Sequence, residues 1–416
     1  MLRPELQKTA LKLLSRDVSK ESFPKFSPAD WDTLFSFFKK QNLSVLVSTI
    51  LRENNIDVPS DLADEMKDIY LSACSQDFKR QQQIKEIIEI FNKNNIEHIL
   101  LKGAHLVNTL YEKPFTRLTT DIDILVKAQN SMEANRVLIR NGYENFLLPD
   151  DKCLKSIEHF TQHYPPLYKE GFIAVELHTY ISQIYHSNLD RIWEEAKQIE
   201  VGGLKTKVMC NEDLLIHISM HKFFEDGAVN GLLGLYDISR IINTGQIDWN
   251  KLEKLSRQNE YNNARCLYIV TSLCKTLLNA NVDQQFIDSI RPESNKTDEI
   301  ETNLRELLFN DFMDFDKASF VYGENIYSEQ RKHSKIFNYI FLSPYRMRLY
   351  GYKKYNKKYM GFWGLSNLYI KRFFSLFKNY TGVYFKPKLS KENKADNTSR
   401  QLGEKTAGLR QWLKDS

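Results

Sequence analysis

Acidic residues are missing from one long stretch of this 416-residue chain. Between Gln330 and Lys391 there is no Asp or Glu, yet 15 Lys and Arg and 17 Phe, Tyr and Trp fall there. The formal net charge is +5, so the remainder carries 5 − 15 = −10, and the C-terminal segment presents a different surface from the rest. Cysteine is also sparse. Five are scattered without a Cys-x-x-Cys pair, which argues against a disulfide framework or a zinc knuckle and fits a reducing cytoplasm. No run reaches about 18 uncharged apolar residues, the length of a membrane span. The first residues, Met1 to Lys8, lack the apolar region of a signal peptide. A cytoplasmic protein, at most peripheral to a membrane, is expected.

What is present is a globular composition. A hydrophobic fraction of 42%, a charged fraction of 27% and a mean hydropathy of −0.47 suit a soluble chain, and 49.0 kDa suffices for two or three cores. Helical spacing of apolar residues runs through Trp31, Leu34, Phe35 and Phe38, and again through Ile84, Ile87, Ile88, Ile90 and Phe91. Asn94-Asn95 breaks that pattern, and His98 to Leu101 reads as a short buried strand. A short helix over Ala104 to Tyr111 follows, then a strand over Asp121 to Val126, and an amphipathic helix over Ser131 to Asn141 that stops at Gly142. Strands are expected around Phe160 to Tyr168 and Phe172 to His178, with a turn at Gly171. From Asn211 the pattern is helical again, with segments at Leu232 to Asn243, Trp249 to Gln258 and Ala264 to Ala280. The expected division is a helical region over 1–78, a catalytic core over 79–205, a helical domain over 206–330, the basic aromatic segment over 331–390 and a disordered tail over 391–416.

The chemistry concentrates in Asp121-Ile122-Asp123-Ile124-Leu125-Val126. Alternation along a strand puts Asp121 and Asp123 on one face and the branched aliphatics on the other. Buried carboxylates cost several kcal/mol each unless a cation or hydrogen bonds compensate. In Ile173-Ala174-Val175-Glu176-Leu177-His178 the same alternation sets Glu176 and His178 opposite an apolar face. If the two strands pair, Asp121, Asp123 and Glu176 converge, and hard oxygen ligands favour Mg²⁺ or Mn²⁺.

These residues carry a resemblance. Lys102-Gly103-Ala104, Arg117, Asp121 to Val126 and Val175-Glu176-Leu177-His178 resemble, in order and strand context, the uncharacterised nucleotidyltransferase family within the DNA polymerase β-like superfamily. Asp213 to His217, Tyr236-Asp237-Ile238 and Ile247-Asp248-Trp249 resemble that family's helical region. The resemblance implies an α+β fold with a small mixed sheet flanked by helical regions. It implies transfer of a nucleoside monophosphate from an NTP, ATP first among them, to an acceptor, with pyrophosphate released. Asp121, Asp123 and Glu176 would be metal ligands, Glu176 also a candidate base, and Lys102, Gly103 and Arg117 nucleotide contacts. Two other functions stay open: a degenerate module that binds a nucleotide or docks on a membrane, because Lys-Gly-Ala stands where the superfamily has Gly-Gly or Gly-Ser; and a toxin-like enzyme acting on tRNA.

Other residues are candidates for the substrate cleft. His178 shares a face with Glu176. His217 and His221 are four apart on a helix, a zinc-compatible spacing, but without the glutamate of a metallopeptidase; they line the cleft or pack between helices. Asp237 opens an apolar run, Ile238, Ile241 and Ile242, and is either a structural acceptor or a cleft residue. The basic aromatic segment fits RNA, an anionic membrane surface, or a helix packing its aromatics onto the acidic remainder.

Overall fold

The structure is a computed structural model that describes residues 2–15, 18–20, 23–145, 164–181, 189–228, 231–258, 263–309, 347, 361–385 and 404–413. Helices α1 (Pro4–Leu14), α2 (Pro28–Lys40), α3 (Ser44–Glu53) and α4 (Ser60–Lys93) lead into strand β1 (His98–Leu100). Then come α5 (Lys102–Thr109), β2 (Asp121–Val126), α6 (Ser131–Arg140), β3 (Ala174–His178), α7 (Leu189–Glu195), β4 (Lys197–Val201) and β5 (Leu204–Val208). The chain continues through α8 (Asn211–Ser219), a π-helical turn (Met220–Glu225), α9 (Gly231–Ile242), α10 (Trp249–Ser256), α11 (Asn263–Leu278), α12 (Gln284–Ser289), α13 (Thr297–Leu308) and α14 (Phe362–Phe385).

The fold is the expected mixture of helices with a small mixed sheet. Its strand order is β3-β2-β1-β5-β4; β1 pairs antiparallel with β2 and parallel with β5, and β2 pairs parallel with β3. The antiparallel β4–β5 hairpin lies outside the expected elements. Of the stretch expected as a strand around Phe160 to Tyr168, residues 160–163 fall outside the described residues, and Leu167 and Tyr168 form single bridges to Val175 and Glu144.

The sheet separates two packing environments. On one side Ile122, Ile124, Val126, Val175 and Leu177 pack with Ile84, Ile87, Ile88 and Phe91 of α4 and with Val137 and Leu138 of α6. This is the alternation of β2 and β3 realised: every second side chain is removed from water, each contributing roughly 1.5–3 kcal/mol. On the other side Leu125 joins a core shared by α1–α3 and α8–α13. The helices before and after the sheet therefore have one core in common. The expected boundary at residue 78 lies inside α4, because that helix reaches from the helical core to the sheet.

The expectation of disorder over 391–416 fails at residues 404–413, which are helical. Leu409, Trp412 and Leu413 repeat at helical spacing and bury in the common core. Trp412 Nε1 donates to Ser294 Oγ at 3.2 Å, Trp412 O accepts from Arg265 at 2.7 Å, and Lys405 pairs with Glu306. The polar composition of this stretch hides a three-residue apolar anchor.

Candidate active site

The parallel register of β2 and β3 builds the site. Asp121 lies opposite Ala174 and Asp123 opposite Glu176, so all three carboxylates come to the sheet face away from Ile122 and Ile124. A ligand atom from each of Asp123, Glu176 and His178 lies within 4.8 Å of the others. Asp123 is the hub. Its Oδ1 accepts from Lys102 Nζ at 2.9 Å and from His178 Nε2 at 2.7 Å, and both Asp123 and His178 are buried.

Electrostatics divide the two aspartates. Burial pushes the Asp121 carboxyl up to about 7, with Asp123 and Glu176 adding to the rise; Lys102 and Lys222 pull the other way. Burial also acts against the Asp123 carboxylate, but Lys102 and His178 outweigh it and hold Asp123 well below the usual range. Lys102 is in turn held above its ordinary value, burial being overcome by Asp123, Glu176 and Asp121. A carboxyl raised first by burial and then by like-charged neighbours is a combination that recurs at functional sites.

Lys102 ends the β1 connection, where Leu101 N donates to Asp123 O at 3.0 Å and α5 begins. Its φ of +40° is left-handed, an uncommon conformation for a lysine and one that recurs where a site fixes its geometry. Gly103 is required by close approach. A Cβ there would meet Thr119 Cγ2 at 2.3 Å, so the glycine lets α5 pack against the segment entering β2.

Arg117, expected at phosphate, is committed elsewhere. Its Nη2 and Nε donate to Asp237 Oδ2 and Oδ1 at 2.8 and 3.0 Å, and Tyr111 Oη donates to the same Oδ1 at 2.6 Å. Asp237 is fully buried in α9 and Arg117 is 8% exposed, so the pair joins the β2 approach to the helical core. Of the two readings of Asp237, the structural one describes its contacts. Burial opposes the charge on Arg117, but Asp237 raises it further above its usual value.

His217 is buried in α8, and its ring stacks with that of His221 at 6.2 Å between centroids. Burial holds His217 well below the ordinary histidine value, and the nearby charges of Lys102 and His221 add to this. His217 thus backs the Lys102 side of the site. His221 Nδ1 lies 3.1 Å from Glu225 Oε2. Among the described residues neither histidine belongs to a cluster with metal-ligand geometry.

One unexpected residue acts on the site, and three others, equally unexpected, brace the segment that leads into it. Lys222, in the π-helical turn, acts on Asp121 and donates to Asp226 Oδ2 at 2.8 Å. The turn is closed by Asp226 N to His221 O at 2.8 Å, an i→i+5 bond of the kind often found at functional sites. Arg80 of α4 is buried and donates to Arg117 O, Thr119 Oγ1 and Pro114 O at 2.8–3.0 Å, fixing the segment before β2. Tyr111 and Thr119 complete these contacts. Their only sequence signal is position: Tyr111 and Thr119 flank Arg117, and Lys222 follows His221. A second cluster, Glu195, Cys210 and Asp213, already has cations, since Arg191 binds Asp213 and Glu195 and Lys251 binds Glu195.

Residues 27–279 match the model of a family described as uncharacterised nucleotidyltransferase. The chain belongs to that family. The match covers the sheet, the carboxylates, Lys102 and the helical segment through α11. Among solved structures, an antigenic nucleotidyltransferase-like protein from Paracoccidioides brasiliensis is similar at 16% identity, covering 50% of this chain and 96% of that one, with a TM-score of 0.34. No curated protein matches the chain.

Proposed function

We propose that this nucleotidyltransferase transfers a nucleoside monophosphate from an NTP, ATP first among them, to an acceptor hydroxyl in a reaction that depends on Mg²⁺ or Mn²⁺. The observation that carries it is the register that sets Glu176 beside Asp123, with Asp121 two residues back on the same face. The donors fit such an ion. Asp123, Glu176 and His178 offer ligand atoms within 4.8 Å of one another, with Asp121 two residues back on the same face, and the raised Asp121 carboxyl is what a divalent cation would return to its ionised form. Asp121, Asp123 and Glu176 would hold it. When bound, the ion supplies charge neutralisation for the phosphates and for the oxygen that attacks.

The remaining roles belong to the protein. The acceptor oxygen attacks the α-phosphorus, the bond to the pyrophosphate leaving group breaks, and Glu176 takes the acceptor proton. His178 fixes the orientation of Asp123 through its 2.7 Å bond. Lys102 and Lys222 are the cations nearest the carboxylates that can turn to the phosphates, Lys102 by exchanging its bond to Asp123. Incubation of the purified chain with each α-labelled NTP, Mg²⁺ and a cell extract should label an acceptor. The Asp121→Asn/Asp123→Asn double variant should label none, and retained labelling by that variant would refute the assignment.

One observation favours a second reading, a nucleotide-binding module without turnover. Asp123 Oδ1 is engaged by both Lys102 and His178, an arrangement that is stable without an ion. Calorimetric binding of ATP with Mg²⁺ and no pyrophosphate release in the same extract would select it.

A further inference from the structure

We infer that α14 is an interfacial helix that docks the protein on an anionic lipid surface. Its side chains divide by face. At about 100° per residue, Phe362, Trp363, Ile370 and Phe374 fall within one arc of about 120°. All four are exposed, Trp363 at 82% and Phe374 at 63%. Leu368, on the opposite side, is 3% exposed. Of the three readings of the segment, packing of the aromatics onto the acidic remainder does not describe these residues, whose large side chains are exposed.

Charge decides what the arc meets. No Asp or Glu occurs between Gln330 and Lys391, against 15 Lys and Arg, whereas the rest of the chain carries −10. A positive segment bearing an outward apolar arc complements a surface that is apolar inside and negative outside, which describes an anionic leaflet. The helix cannot cross it: among the described residues no helix is long and apolar enough to span a membrane. Lying in the interface suits it instead, with Trp363 at headgroup depth and exposed Lys371 beside the arc.

Two other occupants fit less well. Single-stranded nucleic acid is held by rings interleaved with cations that track phosphates, but no Lys or Arg falls within the arc, and Ile370 offers nothing to stack on. A second copy, arc against arc, would bring two segments of 15 cations and no acid together. The inference is independent of the catalytic reading, since none of the site residues lies on α14.

Flotation of the full chain with vesicles tests it, using phosphatidylcholine alone and phosphatidylcholine with about one-third phosphatidylglycerol. Binding should appear with the anionic vesicles and weaken as salt rises. Trp363→Ser/Phe374→Ser should reduce it by about tenfold or more, and Ile370→Glu likewise. Because these side chains are exposed, far-ultraviolet circular dichroism and thermal midpoint should not change. Equal flotation of the double variant, or no flotation of the native chain with either vesicle, overturns the inference. So does a salt-sensitive RNA complex, or a dimer in sedimentation, that the double variant loses while no vesicle binding occurs.

Discussion

Replacing Asp237 with alanine tests whether the ion pair with Arg117 is a structural tie or part of a substrate pocket. The aspartate is fully buried, accepts three bonds from the Arg117 guanidinium and a fourth from Tyr111, and lies 120 residues along the chain from its arginine. Removing one partner of a buried pair leaves the other charge desolvated, at a cost of about 3–5 kcal/mol. Tyr111 also loses its acceptor, which adds about 1–3 kcal/mol for a buried hydroxyl left without a bond. The sum is an upper range, since Tyr111 can turn toward water. Arg117→Met/Asp237→Leu should recover most of the loss, because both charges go together and the site stays filled. Urea unfolding of the native chain, both single variants and the double variant measures these differences. A loss below about 1 kcal/mol for Asp237→Ala, or a double variant no more stable than the worse single one, would refute the latch. Asp237→Ala that left stability intact and only raised the KM for a substrate would restore the cleft reading.

Gly103→Ala should destabilise the chain by about 1–3 kcal/mol, since its Cβ would meet Thr119 Cγ2 at 2.3 Å. Thr119→Ser removes that methyl but keeps the hydroxyl bound by Arg80, and should restore stability in combination; failure of the rescue in a thermal melt would disprove the contact. Lys222→Gln should lower kcat/KM for NTP-dependent labelling by about tenfold or more without changing the melting midpoint, and an unchanged rate would remove Lys222 from the site. Stability should fall on acidification below about pH 6.5. Burial pushes His105 down to about 3 and His217 well below its ordinary value, so the unfolded chain takes up protons there that the folded chain does not. Each histidine then costs about 1.4 kcal/mol per pH unit, roughly 2 kcal/mol by pH 5. His105→Leu should remove one share of that slope in urea titrations at pH 7 and pH 5, and an unchanged slope would contradict its neutral burial.

The strands that carry the carboxylates are legible because burial on one face imposes strict alternation, and Ile122, Ile124, Val175 and Leu177 obey it. Helix placement follows for the same reason at a different period. The β4–β5 hairpin is harder to read: β4 is an edge strand whose Lys197, Gln198 and Glu200 are exposed, so its apolar signal is weak. Its turn, Gly202-Gly203, with φ of +57° and +81°, does carry a hairpin signature. Arg117 shows the opposite limit. An arginine just before an acidic strand reads as a phosphate ligand, and nothing local reveals an acceptor 120 residues away in a separate helix. The partner of a buried charge is a tertiary fact.

Lys102 ties these observations together. Three carboxylates on one face would repel one another if all were ionised, and the protein answers this in two ways. One ammonium sits 2.9 Å from Asp123, and Asp121 is pushed toward its protonated form. Asp123 is held ionised beside the charged Lys102, while Asp121 is pushed toward its protonated form, so the group stays short of its full negative charge. Ionising Asp121 adds one more negative charge, which a bound cation would balance. A triphosphate adds negative charge of its own. The left-handed backbone at Lys102 and the close packing of Gly103 fix the base of the lysine beside β2, and in the proposed reaction its long side chain exchanges Asp123 for an incoming phosphate. Lys102→Met separates the two duties. Loss of the internal counterion should raise the Asp123 carboxyl toward the ordinary range, and loss of the phosphate contact should raise the KM for NTP. A variant that weakened neither stability at neutral pH nor nucleotide binding would leave Lys102 without a role in the site.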